Sequence, residues 1–475
     1  TVTDGVGNTS TCVFNVIVTD NIAPTLTACV GSTQNVNVDA GECNYTQTTT
    51  AWDATATDNC TVSSITAVLT GATTGSGLTT LNGIDFNLGT TTVTWTVTDG
   101  VGNTSTCVFN VIVTDNIAPT LTACVGSTQN VNVDEGQCNY TQTTTAWDAT
   151  TTDNCTVSSI TAVLTGATTG SGLTTLNGVD FNLGTTTVTW TVTDGAGNTS
   201  TCVFNVVVTD NILPVITTCG AVGNQSVNAN TGLCTYTHPN NSWNASTTDN
   251  CTVTSLIYTL TGATTGTGTT LSGETFNLGV TTVTWTATDV VGNISTCSFN
   301  VTVNDAQNPI ITSCGAIGNQ SVLADAGQCN YTQTSTAWDA SATDNCSLTS
   351  LIYTLTGATT GSGTSLQNVD FNLGTTTVTW TATDGTGNTS TCSFNVTVTD
   401  NQLPVIVNCG AGAQTVSTDA GQCTFTNNGT AWDATATDNC TVSSLTYVLS
   451  GATTESGTTL DGVVFNIGTT TVTWT

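Results

Sequence analysis

Lysine and arginine are absent from all 475 residues, against 31 aspartates and glutamates and a formal charge of −31. With nothing to neutralise phosphates, nucleic-acid binding is excluded. Anionic membrane surfaces are disfavoured for the same reason. No Lys or Arg ion pair and no lysine isopeptide can form, so counter-charge has to come from bound or free cations. Trypsin-like proteases find no site. Histidine occurs once, at His238, and methionine not at all. No apolar run reaches the roughly 18 residues of a spanning helix, so no membrane insertion is expected, and no signal peptide is visible. The chain starts without a methionine and reads as an internal piece of a secreted protein. Helical periodicity is missing too. No Ser/His/Asp or Cys/His arrangement recurs, and no glycine-rich loop precedes a helix, so catalysis is not expected and no catalytic residue is assigned.

What is present is repetition. Cys12, Cys107, Cys202, Cys297 and Cys392 are each 95 residues apart, and Cys29, Cys124, Cys219, Cys314 and Cys409 keep the same step. A unit of about 95 residues buries its own core, unlike the shorter repeats of solenoids. The domains expected are a trailing turn and strand at 1–19, repeats at 20–114, 115–209, 210–304 and 305–399, and an incomplete repeat at 400–475 lacking its last strand.

Within a repeat the strands are short and alternate. Thr11 to Thr19 places Cys12, Phe14, Val16 and Val18 on one face, and Thr92 to Thr98 places Val93, Trp95 and Val97 inward. Period two with one polar face marks half-buried strands. Thr25 to Cys29 and Asn35 to Val38 form a split first strand. Cys43 to Thr48, Val62 to Thr70 and a short strand near Ile84 to Asn87 follow, with a long connection from Thr49 to Cys60. About seven strands between turn signals predict an all-β chain of tandem immunoglobulin-like antiparallel sandwiches. Trp95 or Trp52 is the core tryptophan, and alternation favours Trp95. Linkers of a few residues predict an extended rod, each domain adding on the order of 40 Å.

Four cysteines per repeat read as disulfides formed in an oxidising compartment. Zinc is disfavoured, because no CxxC pair occurs and there is one histidine. Four cysteines allow three connectivities. In this topology the first and last strands run parallel from the same end, which favours Cys29–Cys107, Cys124–Cys202, Cys219–Cys297 and Cys314–Cys392. Each closes 78 residues, worth roughly 4 kcal/mol in the chain-entropy model. The remainder are Cys43–Cys60, Cys138–Cys155, Cys234–Cys251, Cys329–Cys346 and Cys423–Cys440. Cys12 and Cys409 then have partners outside this stretch or in a neighbouring chain.

Acidic and amide side chains gather at what should be one end of each sandwich. The linker pair Asp20 and Asn21, the Asp58 and Asn59 loop, and Asp99 and Asn103 of the TDGVGN turn form one set. Asp115, Asn116, Asp153, Asn154, Asp194 and Asn198 form the next. Converging oxygens without a protein cation suit Ca²⁺ as cofactor. The plainer reading is that Asp and Asn cap turns through their own backbone. His238, in THPNNSW where other copies read TQTTTAW or similar, is a loop substitution.

The series D-N-x-x-P, C, C, D-N-C, G-T-T-T-V-T-W-T, T-D-G-x-G-N and C-x-F-N-V resembles the hyalin repeat (HYR) family. Asp115-Asn116, Pro119, Cys124, Cys138, Asp153-Asn154-Cys155, Gly184 to Thr191, Asp194 to Asn198 and Cys202 to Val206 carry it. The resemblance implies an immunoglobulin-like fold, an extracellular adhesion role and no catalysis. The near-identical, threonine-rich copies are similar to those of giant bacterial surface adhesins. At Asn304-Asp305 the linker pair reads Asn-Asp, which puts its role at that junction in doubt.

Near-identical copies argue against a unique active site. The first functional reading is the shaft of an extracellular adhesin or cell-surface filament. A second is multivalent binding of surface glycans or proteins by the repeats, which an exposed Trp52 would support and a buried one would not. In a third, the incomplete last domain accepts residues 1–19 of another copy as a donated strand. Its rival is that the chain is a window on a longer protein with flanking repeats.

Overall fold

The computed structural model describes residues 1–475, apart from the side chains at 220, 221, 315 and 316. It is all-β but for two four-residue helical turns, Cys219–Val222 and Cys314–Ile317, and a 3-10 turn at Thr336–Trp338. Two compact units divide the chain within the third repeat: residues 1–215 with 248–254 and 288–294, and the remainder.

The repeat at 20–114 contains nine strands: β1 (Thr25–Ala28), β2 (Gln34–Asn37), β3 (Asn44–Thr46), β4 (Thr55–Thr57), β5 (Val62–Gly71), β6 (Gly75–Leu78), β7 (Asp85–Asn87), β8 (Gly89–Asp99) and β9 (Thr104–Thr114). One sheet runs β2-β9-β8-β5-β6, with β2 parallel to β9 and the other pairs antiparallel. The pairs β1-β4 and β3-β7 form the opposing layer. The split first strand thus contributes β1 to one layer and β2 to the other. Strands β4 and β6 lay inside stretches that the sequence presents as connections. Both are short, polar or glycine-rich edge pieces, and neither shows a clear alternation.

Period-two burial creates the core. Thr91, Val93, Trp95 and Val97 of β8 and Phe109, Val111 and Val113 of β9 are buried, and the intervening residues half-exposed or exposed. Val93 opposes Phe109 and Trp95 opposes Cys107 across the ladder. Fully burying each large side chain stabilises the repeat by about 1.5–3 kcal/mol. Both tryptophans are inside: Trp95 is fully buried, Trp52 is 8% exposed, and the Trp95 indole N–H donates to the Trp52 carbonyl at 3.0 Å. Trp52 also meets Phe86 edge-on at 5.6 Å.

A strand needs neighbours to exist. Thr11 to Thr19, expected as a strand, is not one. Only Val2–Thr3 and Thr9–Ser10 pair there, and Val13, Phe14, Val16, Ile17 and Val18 are exposed. Residues 400–475 contain no equivalent of β9, and there Thr470–Trp474 pairs on one side only. Phe425, Trp432, Leu460, Phe465, Val472 and Trp474 then line a groove of about 590 Å³.

Candidate functional site at the joints between repeats

Each joint is built from four pieces: the linker, the Asp-Asn-Cys loop, the β8–β9 turn, and the turn before β3 of the preceding repeat. The β8–β9 turn is organised by a buried carboxylate. Asp99 Oδ1 accepts the N–H groups of Val101, Gly102 and Asn103 at 2.9, 2.7 and 2.9 Å. Burial opposes ionisation of Asp99, but the Asn103 amide and these backbone donors outweigh it and hold the carboxyl below its ordinary value. Asp194, Asp289 and Asp384 are held low in the same way. The Asn103 amide then donates to the Asp20 carbonyl at 3.3 Å, and Asn198 to that of Asp115 at 3.1 Å. The turn thereby fixes the linker.

The Asp-Asn-Cys loop reaches the preceding repeat. Asn154 Nδ2 donates to the Glu42 carbonyl at 3.0 Å. Asn250, Asn345 and Asn439 do the same to Gln137, Leu233 and Gln328 at 2.9, 2.9 and 2.8 Å. The residue after each asparagine and the residue after each acceptor are cysteines, and they are bonded. The disulfides are Cys43–Cys155, Cys138–Cys251, Cys234–Cys346 and Cys329–Cys440.

This corrects the expected second set. Cys43–Cys60, Cys138–Cys155, Cys234–Cys251, Cys329–Cys346 and Cys423–Cys440 do not form; Cys60 and Cys423 are free, as are Cys12 and Cys409. The reason is position. Cys60 lies beside Asp20, where its repeat begins, while Cys43 follows the turn that meets the next repeat's Asn154. A cysteine at each end of the sandwich finds its partner across a joint. The first set forms as expected: Cys29–Cys107, Cys124–Cys202, Cys219–Cys297 and Cys314–Cys392.

The expected acidic sets come together in part. Asp115, Asp153 and Asp194 each bring a carboxylate oxygen within 4.8 Å of the others, and Asp20 and Asp58 are similarly close. Asn59 donates to Asp20 Oδ1 at 3.3 Å. Asn21 and Asn116 are exposed. At the third joint Asp305 takes the place of Asp115, and Asn345 donates to it at 3.3 Å, so the altered order at Asn304 leaves the linker carboxylate in place.

His238 is buried, stacked on Trp243 at 3.7 Å, with Ser242 Oγ 3.3 Å from Nε2. It fills the place of the buried Gln47, Gln142 and Gln333. Burial lowers its pKa. Sequence reasoning missed the joint-crossing disulfides; a strand count that puts Cys43 and Cys60 at opposite ends was the available signal.

Residues 210–303 and 305–398 match the model of the HYR domain. Hyalin of Strongylocentrotus purpuratus is 30% identical over 495 residues, covering all of this chain and 35% of that protein. Hyalin of Lytechinus variegatus is 32% identical over 67% of this chain and 54% of that protein. The serine-rich adhesin for platelets of Staphylococcus aureus is 34% identical over 178 residues, 36% of this chain and 8% of that protein. The chain thus spans from 35% to 54% of the hyalins it matches.

Proposed function

This chain belongs to the hyalin repeat family, and from that premise we propose that it is the shaft of an extracellular adhesion protein, a non-catalytic spacer. It is extracellular: disulfides close its repeats and its joints, which fits an oxidising compartment. Among the described residues no helix is long and apolar enough to cross a membrane.

The observation that carries the reading is the construction of the joint. Every pair of successive repeats from 20 onward is tied twice, by the linker and by a disulfide with an asparagine hydrogen bond beside it. Such ties restrict swivelling, which a spacer under load requires and a set of independent binding modules does not. Multivalent glycan binding would be supported by exposed aromatic platforms. Trp52, Trp147, Trp243 and Trp338 are instead 6–8% exposed and packed in their cores.

The test is direct. The oxidised chain, displayed on beads, is passed over glycan arrays and matrix proteins, and pulled end to end in an optical trap. A shaft gives no saturable binding, and it lengthens under force far less when oxidised than after reduction. Saturable glycan binding, or identical extension in both redox states, would overturn the proposal.

A further inference from the structure

At three joints the disulfide that ties the repeats stands among carboxylates. Asp210 and Asp249 bring carboxylate oxygens within 4.8 Å of Cys251 Sγ and of each other; Asp305 and Asp344 do so at Cys346, and Asp400 and Asp438 at Cys440. The backbone holds these carboxylates in place. Asp210 Oδ1 accepts from Ile212 N–H at 3.0 Å and Asp249 Oδ2 from Cys251 N–H at 3.1 Å, as Asp115 and Asp153 accept from Ile117 and Cys155 at the first joint. Asp210 Oδ2 and Asp249 Oδ1 are left buried without a hydrogen bond, and so are Asp115 Oδ2 and Asp153 Oδ1. Cys60, which is unbonded, has Asp20 and Asp58 around it in the same way. The cluster therefore belongs to the loop and is not drawn together by the disulfide.

A thiolate opens a disulfide by attacking one sulfur in line with the bond and expelling the other. At Cys138–Cys251 a bond from the incoming sulfur forms as the old S–S bond breaks, and the expelled sulfur leaves as a thiolate that water protonates. A second thiol then attacks the mixed disulfide, so two thiols are oxidised to their disulfide and two cysteines are reduced. Attack at Cys251 brings an anion against Asp210 and Asp249. Attack at Cys138 sends the negative charge out on Cys251, against the same two carboxylates. Both routes meet like charge. Asp210 and Asp305 are only 7% and 6% exposed, so water and salt screen them weakly. No lysine or arginine offsets them. The Asn250 amide donates to Cys251 Sγ at 3.4 Å, but it is neutral and shared with the Gln137 carbonyl. Inside the repeats the surroundings differ. Among the described residues no such group of carboxylates surrounds Cys29–Cys107 or Cys124–Cys202, while Cys219 and Cys314 are shut away at 0% and 1% exposure.

We propose that the joint disulfides Cys138–Cys251, Cys234–Cys346 and Cys329–Cys440 are charge-gated redox sites, closed to anionic thiols and opened by thiols that carry a positive charge. Turn capping explains why aspartates occupy these loops and does not bear on how the sulfur beside them reacts. The gate lies in the charge and not in burial, because both cysteines of each bond are half-buried. The ties between repeats then persist in the presence of small acidic thiols, and a cationic thiol loosens the joints.

The test uses the oxidised, intact chain at low ionic strength, with a chelator present so that no cation neutralises the carboxylates. Reduction by cysteamine and by 3-mercaptopropionate is followed bond by bond, through alkylation of the released cysteines and mass spectrometry, and each rate is corrected to the thiolate concentration. The ratio of the cysteamine rate to the mercaptopropionate rate should be about tenfold larger at the three joint bonds than at Cys29–Cys107 and Cys124–Cys202. Asp210→Asn with Asp249→Asn keeps the acceptors for Ile212 and Cys251 N–H and removes both charges. It should bring the ratio at Cys138–Cys251 down to that of the bonds inside repeats and leave Cys234–Cys346 unchanged. Equal ratios at joints and inside repeats in the unaltered chain overturn the proposal, whether or not the variant folds. So does a variant that reacts faster with both thiols alike, since a loosened joint admits either thiol and only a lost charge changes their ratio. The readout involves neither extension nor adhesion, so the role as a shaft stands or falls separately.

Discussion

In the first two complete repeats the strand beside the core tryptophan carries Ala67 and Ala162; in the next two it carries Tyr258 and Tyr353. The space is filled from the other side of the ladder in the first case. Ala67 faces Leu78 and Ala162 faces Leu173, each beside a slip in register. Tyr258 and Tyr353 face Gly268 and Gly363 in hairpins without a slip. A Cβ on Gly268 would sit 2.6 Å from the Tyr258 hydroxyl oxygen. One extra residue bulged into the hairpin therefore supplies a leucine, and removing it makes room for a tyrosine. The tyrosine rings meet Trp285 and Trp380 edge-on at 5.4 Å. The joints differ in the same way. Ile117 and Ile212 pack against the preceding core. Gln307 stands in that place later, accepting from Gly232 N–H at 2.7 Å and donating to the Asn230 carbonyl at 3.1 Å. Volume and bonding are conserved across a pair of positions, and neither position conserves them alone.

The largest effect should come from Tyr258→Ala, which empties a site that nothing across the ladder can fill. A loss of about 3–5 kcal/mol is expected, read from hydrogen exchange of Val253–Gly262. Ala67→Tyr should overpack the first repeat by about 1–3 kcal/mol. Deleting Leu78 in that variant should recover most of the loss in chemical unfolding; no recovery would break the pairing. Gln307→Ala should cost about 1–2 kcal/mol for its two hydrogen bonds and speed exchange at the Gly232 amide.

Smaller effects separate the repeats further. Burial holds the folded His238 imidazole below its ordinary pKa of 6.5, so the unfolded chain takes up a proton first. Stability of the third repeat is then full above about 6.5 and falls as pH drops from there to the folded pKa. His238→Gln should flatten that slope in thermal unfolding between pH 7 and 5. In the fourth repeat Asn368 has φ +63° where Gly83, Gly178 and Gly273 serve elsewhere. Asn368→Gly should stabilise it by about 0.5 kcal/mol, since asparagine tolerates the left-handed region less well than glycine.

Much of this was legible in the residues. The alternation Val93, Trp95, Val97 marks β8 without ambiguity, because a central strand has one face wholly buried. Strand β4 was hidden, because Thr-Ala-Thr at an edge carries almost no periodic signal. The pairing of Cys29 with Cys107 followed from topology inside one sandwich. That of Cys43 with Cys155 depends on how one sandwich seats on the next, which strand periodicity does not encode. The acidic gathering could be read from Asp and Asn alone. Which of its oxygens lack a partner depended on backbone donors such as the Ile117 and Cys155 amides.

The disulfides that cross the joints also define a second route along the chain. From Cys43 the bond leads to Cys155, the backbone back to Cys138, the next bond to Cys251, and so by 234–251 and 329–346 to Cys440. Along this shortcut the long strands β5, β8 and β9 and their counterparts are bypassed. A peptide bond cut anywhere in a linker leaves successive repeats covalently attached, and a repeat that melts lengthens this route only by the slack of the short backbone segment between its two bridging cysteines. The joints, and not the long strands, thus carry the covalent continuity of the chain from one repeat to the next.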